Sequence, residues 1–491
     1  MNCLQWLNEN QKNQLISLGV ALLIILLPLP IHWVLFRQDF PSIYYEYSSL
    51  SIYLADAVIL LMVGVTAVSS FQAVSSFQAV SPKQPLLTLA SLLLLLTAAS
   101  ALWALDPLLT IKHTLRLGLL FLLIYRLAST KLNWNIIQWG IGFTLVGQSA
   151  AALAQFVRQD DLGLRWLGEV DLNRYPGGGS ILTVANPATG EAVYWLRGYG
   201  ISPHPNILGG VLALLLLTAV IFYLQAHSTR KLIWLFIILL GVAGLLITFS
   251  RSAWVGFTVG GLFLAGMIFT AKKWRKRYGR SLLILGFAIF ILSGGILWQV
   301  RELVLVRATI NSSSTETRSL DERQALVEIG NMLYQLSPLT GIGAANFGIA
   351  AIPFASELDG VAPQPIHHIP RLLAAELGVG GAIIWLGLMG LPVLTAVRNQ
   401  LQATANPSQP DQSTRLDQSA LCAVGVTAAL LAFAMIDLFD YYAWGWASGQ
   451  QLRWLYWGLW LATQTDLQTQ VAAAEPTNIV QSSTLKQTSI Q

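Results

Sequence analysis

Two adjacent histidines, His367 and His368, stand just ahead of Pro370. Proline suits the first turn of a helix, so the pair belongs at the N-terminal edge of the apolar segment 372–397. The positive end of that helix disfavours imidazolium and attracts phosphate. A neutral imidazole can then act as a general base near pH 7, with an anionic leaving group stabilised close by; the plainer alternative is a loop histidine with no chemical task. A third imidazole, His204, lies in RGYGISPHPN, which runs from the cation Arg197 to the amide Asn206, and Pro203 and Pro205 account for part of that motif as a turn. Arg251 stands in TFSRSAWVG between two apolar stretches too close together for a polar loop, and its guanidinium offers phosphate a bidentate fork. Lys112 and Arg116 lie one turn apart on one helix face. They either hold an anion at the membrane surface or snorkel to lipid phosphates as anchors.

The elements that carry these residues are set by an apolar chain. The sequence is 54% hydrophobic and 11% charged, with a mean hydropathy of +0.58, more apolar surface than a water-soluble core can hide. Runs of about 20 apolar residues place spans at 15–35, 50–68, 86–103, 108–125, 134–157, 201–224, 232–249, 252–270, 281–300, 372–397, 420–436 and 452–463. The expected fold is an all-α polytopic membrane protein of about twelve transmembrane helices. One transmembrane domain, residues 1–463, is followed by a polar, disordered tail at 464–491. The first run lacks a cleavage site and is expected to remain as a span.

Lys272, Lys273, Arg275, Lys276, Arg277 and Arg280 form the densest basic loop, which the positive-inside rule assigns to the cytoplasm. Counting from it puts Arg126, Lys131, Arg230, Lys231 and both termini on the same side of an inner membrane. The net charge of +5 and pI near 9.1 therefore reflect topology and do not indicate nucleic-acid binding. Two long connections, 158–200 and 301–371, fall on the opposite, extracytoplasmic face. In the second, Leu326, Ile329, Leu333 and Leu336 follow helical spacing from Asp321 until Pro338, as an amphipathic helix that could lie on the membrane. In the first, Tyr175, Pro176 and three glycines precede an alternating run, 192–196, read as a hairpin or as irregular structure. A tandem SSFQAV, 69–74 and 75–80, is too short to be a fold-level repeat. Cys3 and Cys422 offer neither a disulfide framework nor metal-ligand spacing.

Lys112, Arg116, Arg197, Arg251, Arg323 and His367 thus share one membrane face. A cationic site with one candidate base fits transfer from a diphosphate-linked substrate better than proton or sugar transport, because acidic residues inside the spans are scarce apart from Asp56 and Glu376.

Together the motifs resemble the O-antigen ligase and O-antigen polymerase superfamily over about 197–446. The matching pieces come in family order: the segment ending in Pro205-Asn206, the Ser-Arg helix start at Arg251, Arg323 leading to SPLTGIGAANF, and HHIPRLLAAELGVGG from His367 to Gly381. The resemblance implies a GT-C-like membrane glycosyltransferase that moves a glycan from undecaprenyl diphosphate to an acceptor hydroxyl, with inversion and without a metal or other cofactor. It implies that His367 activates the acceptor and that Arg251 and Arg323 bind the diphosphate. The partners would be the carrier-linked donor, a lipid or glycan acceptor and membrane lipids. His368 occupies the family's usual asparagine position, and Leu326 replaces a common tryptophan, which makes His368 and Arg318 rivals of His367 and Arg323. A polymerase, a bicarbonate or other small-anion transporter and an envelope scaffold are the competing readings.

Overall fold

The computed structural model describes residues 8–40, 48–70, 84–173, 180–185, 189–308, 314–354, 363–405 and 414–474. Cys3, the stretch from Tyr175 to Gly179, most of the SSFQAV tandem and the end of the tail lie outside them. In chain order the elements are α1 (Glu9–Leu26), β1 (His32–Arg37), β2 (Ser49–Tyr53), α2 (Leu54–Ser70), α3 (Pro85–Ser100), α4 (Pro107–Ala128) and α5 (Trp134–Arg158). Next come β3 (Ile181–Ala185), β4 (Ala192–Leu196), α6 (Pro205–Gln225), α7 (Ser228–Ile247), α8 (Arg251–Thr270), α9 (Lys272–Gln299), α10 (Arg301–Ala308) and α11 (Ser314–Leu336). The last are α12 (Ile369–Ala405), α13 (Thr414–Ile436) and α14 (Ala447–Ala474).

Every expected span overlaps a helix. Among the described residues eight helices, α4 to α9, α12 and α13, are long and apolar enough to cross a membrane; α2 and α3 are shorter apolar helices. The first expected span ends early, because Pro28 and Pro30 follow Leu26 and the chain then turns into β1. β1 pairs antiparallel with β2, so the second expected span also starts later, at Leu54. The helix of the last expected span, α14, runs on to Ala474. A second hairpin, β3 with β4, occupies the alternating run 192–196. The fold is thus mostly helical, with two small hairpins added to the expected all-α bundle.

The centre of the bundle is α6, whose most apolar eighteen-residue stretch is 100% buried, against 6% for α9 at the periphery. Helices α7, α8 and α13 pack around α6. Its C-terminal end meets the basic segment: Tyr223 Oη donates to Ser281 O (3.2 Å) and Lys231 Nζ to Ser281 Oγ (2.5 Å). A polar cavity at that end gathers Asn10, Lys131, Arg230, Gln418 and Asp466 from the start of α1, the α4–α5 connection, the first turns of α7 and α13, and the last helix. These are the segments that the charge distribution assigned to one face. The helix α11 packs its apolar stripe on protein: Leu326, Ile329 and Leu333 are buried, facing α12, whereas Leu336 is exposed.

Candidate functional site

At the opposite end of α6 a chain of hydrogen bonds joins four segments. Arg197 is buried at the end of β4. Its Nε donates to Thr248 O (2.7 Å), Nη1 to Ser180 Oγ (2.8 Å) and Nη2 to Asn206 Oδ1 (2.7 Å). Asn206 Nδ2 in turn donates to Asp440 Oδ2 (2.9 Å), while Asp440 Oδ1 accepts from Tyr441 N (2.8 Å). The His-Pro-Asn sequence makes this possible. Pro205 fills the first helical position of α6, and His204 is its N-cap, with Nδ1 accepting from Asn206 N (3.1 Å). Arg197 therefore acts as a peg that fixes the amide of Asn206 and the turn between α7 and α8. Arg251 is exposed on the first residue after that turn.

His367 sits on the extended segment before α12. Its ring meets that of Tyr441 edge to face at 4.7 Å, and Tyr441 Oη donates to Gln364 Oε1 (3.3 Å). Ile369 N donates to Asp437 O (2.9 Å), tying the start of α12 to the same α13–α14 connection that carries Asp440. Burial first, then the positive charge of Arg323, then His204, hold the His367 imidazole well below the usual histidine range. Arg323 acts on Asp440 as well: burial pushes that carboxyl up, and Arg323 and the Asn206 amide oppose the shift. Among the described residues His367 Nδ1 is buried without a hydrogen-bond partner. His368 has a different task. Its Nδ1 accepts from Arg371 N (3.2 Å) and its carbonyl from Leu372 N (3.0 Å), so it caps α12.

The loop between α11 and α12 is clamped onto the kinked start of α12. Glu376 accepts from Ala345 N (2.8 Å), Phe347 N (3.1 Å) and Trp444 Nε1 (2.8 Å). Ile342 N donates to Ala375 O (3.1 Å) and Val379 N to Pro338 O (2.9 Å). This contact requires glycine. Gly378 has φ 70° and a Cβ there would lie 2.2 Å from Leu339 O; Gly341 has φ 66° and its Cβ would meet the Glu376 carbonyl carbon at 2.3 Å. The Pro-Leu-x-Gly-x-Gly turn and Glu-Leu-Gly are therefore two halves of one joint. Asn346 extends it to α4 by donating to Thr110 Oγ1 (2.8 Å) and accepting from Asp106 N (2.6 Å). Below it, Arg453 of α14 is buried against Asp437, which also accepts from Trp385 Nε1 (3.3 Å), an internal ion pair that ties α12, α13 and α14 together.

Lys112 and Arg116 line a cavity beside this site. Pro365, two residues before His367, forms part of its wall. Arg116 Nη2 is paired with Asp56 Oδ2 at 2.9 Å, and Asp56 Oδ1 accepts from Gln451 Nε2 (2.6 Å). The two acids that stood out inside the spans, Asp56 and Glu376, are thus internal partners.

The structure brings Arg197, His204, Asn206, Arg323 and His367 to one place, with Lys112 and Arg116 in the adjoining cavity. It gives His368 a capping role and leaves Arg251 at the rim of the same end. The side chain of Arg318 lies outside the described residues, although its backbone belongs to α11. Sequence reasoning missed Asp440 and Tyr441. Two acids at the end of an apolar run, in DLFDYY, were the available signal.

No curated protein matches the chain. The O-antigen ligase family model matches residues 236–386, the stretch that holds Arg251, Arg323, His367 and both halves of the glycine joint. By that match residues 236–386 carry an O-antigen ligase domain, which supports membership of the O-antigen ligase superfamily.

Proposed function

We propose that this protein transfers a glycan from undecaprenyl diphosphate to an acceptor hydroxyl on the extracytoplasmic face of the inner membrane. The observation that carries the proposal is the His367 imidazole, packed edge to face on Tyr441 with its Nδ1 buried, in the field of the Arg323 charge and at the end of the bundle opposite the basic loops. In the reaction the acceptor oxygen attacks the anomeric carbon of the donor from the face opposite the diphosphate. The new glycosidic bond forms as the bond to the diphosphate oxygen breaks, so the configuration inverts. The hydroxyl proton passes to His367, and the electron pair leaves on undecaprenyl diphosphate. Arg323 offsets the charge that develops there, and Arg251, at the rim, holds the diphosphate at the membrane edge. Arg197 and Asp440 act as positioning residues, through Asn206.

A positioned general base contributes about 10²–10⁴-fold to rate. The test is the product balance: each glycan transferred must release one undecaprenyl diphosphate, with the anomeric configuration inverted. A retained configuration would contradict direct attack by the acceptor. A lipid acceptor makes the protein a ligase, and a second carrier-linked glycan makes it a polymerase; competition between the two acceptors separates them. The ligase is the reading we adopt.

A further inference from the structure

At the histidine end, side-chain amides are spent on the fold: Gln155 Nε2 donates to Glu169 Oε1 and Gly200 O, and Asn346 Nδ2 to Thr110 Oγ1 and Ala344 O. The polar cavity at the basic end of α6 is different. It occupies about 1730 Å³ including its open mouth, more than the roughly 300–1,000 Å³ of an ordinary small-molecule pocket. Asn10, Asn13 and Gln14 of α1 and Asn135 of α5 line it, and among the described residues none of their side-chain amides has a hydrogen-bond partner. On the opposite wall Gln470 Oε1 is buried and likewise without a partner among the described residues. A buried amide oxygen left unbonded is costly, and a ligand hydroxyl would satisfy it.

Charge and ring chemistry narrow the ligand. Lys131, in the α4–α5 connection, and Arg230, in the first turn of α7, line the cavity, and among the described residues neither has an ion-pair partner. The one carboxylate that lines it among those residues, Asp466, already accepts from Ser419 Oγ (2.5 Å) and Gln470 Nε2 (2.8 Å). The floor is aromatic: Phe222 and Trp234 are buried with ring centroids 5.1 Å apart, and Trp134 lies 6.4 Å from Phe222. Amides set a donor and an acceptor side by side, as hydroxyls require; lysine and arginine bind phosphate; aromatic rings pack against the C–H face of a sugar. An apolar ligand would leave the amides unpaired, and a polyphosphate would bring more charge than two cations offset.

We infer that this cavity binds a soluble phosphorylated hexose, with its hydroxyls on the amides of α1 and α5 and its phosphate on Lys131 and Arg230. The inference stands apart from the transferase reading, since no residue of the cavity takes part in that reaction. The test uses the full-length protein in phosphatidylcholine nanodiscs, because a sugar-headed detergent would compete, with radiolabelled glucose-1-phosphate and N-acetylglucosamine-1-phosphate in equilibrium dialysis. Saturable binding of at least one probe, with Kd below about 1 mM, is expected. Lys131→Gln and Arg230→Gln should each weaken it about tenfold, the scale of one hydrogen bond to a charged group. Ala226→Phe, which adds bulk to the wall and leaves every polar group in place, should weaken it at least as much. His367→Ala should bind like wild type, and thermal unfolding of each variant shows that it is folded.

Equal affinity of wild type and the three cavity variants overturns the site, as does the absence of saturable binding by wild type. Inorganic phosphate competing as well as the unlabelled hexose phosphate shows a free-anion site and overturns the sugar; glucose competing as well overturns the role given to Lys131 and Arg230. Phosphatidylglycerol in the discs displacing the probe as fully as unlabelled ligand does shows a lipid-headgroup site and overturns the soluble ligand. Binding that follows the expected pattern while wild type transfers no glycan leaves this site standing and removes the transferase reading.

Discussion

His367 and His368 differ by one position and by everything that matters chemically. His368 spends its Nδ1 on the cap of α12, and His367 faces Tyr441 in the field of Arg323. His368→Ala should therefore retain transfer and lose about 1 kcal/mol, the usual worth of a side-chain cap, seen as a small drop in the unfolding midpoint. Since burial and Arg323 both disfavour the imidazolium, His367 stays neutral at pH values where an ordinary histidine, titrating near 6.5, would already be protonated. The acid limb of kcat/KM should accordingly lie below 6.5 and move upward in Arg323→Gln, which removes the opposing charge. A limb above 6.5 in wild type, or one that Arg323→Gln leaves in place, would show that His367 is not the titrating base. The residues alone named both histidines without ranking them, because which one caps depends on where the helix starts; only the family resemblance favoured His367. Asp440 was harder still: its partner Asn206 lies more than two hundred residues away, and no local spacing reports such a pair.

At the scale of elements, the joint between the α11–α12 loop and the start of α12 holds the histidine segment in place. Glu376→Ala would leave three buried donors, two backbone N–H groups and the Trp444 indole, without their acceptor, at roughly 1–3 kcal/mol each. Loss of about 3 kcal/mol or more of stability is expected, measured as the unfolding midpoint in detergent. Gly378→Ala should be comparably damaging, since it forces a Cβ against Leu339 O at a positive φ. Wild-type-like melting of both variants would refute the clamp. The helices themselves were legible because runs of about 20 apolar residues have few alternatives. The end of α1 was not, since hydropathy alone runs through Pro28 and Pro30 although the backbone cannot continue as helix there. The alternating run 192–196 was seen, whereas the pairing of β1 with β2 was hidden inside two stretches that hydropathy assigned to spans.

Across the whole molecule, the buried α6 separates a basic, amide-rich end from the histidine end. The positive-inside rule assigns the first to the cytoplasm. In a Cys3→Ser background, an impermeant maleimide should label Thr189→Cys in intact cells and Lys276→Cys only after permeabilisation; the reverse pattern would invert the topology. Hydropathy could not tell the central helix from a lipid-facing one, because α6 and α9 are both strongly apolar and only packing distinguishes them. The central claim is that His367 removes the acceptor proton at this end of the bundle. Its most direct test is transfer of a labelled glycan from undecaprenyl diphosphate in nanodiscs, comparing wild type with His367→Ala and His368→Ala at matched folding. Transfer by wild type and His368→Ala, with a loss of about 10²–10⁴-fold in His367→Ala, is the predicted result. Transfer by His367→Ala at the wild-type rate would contradict it.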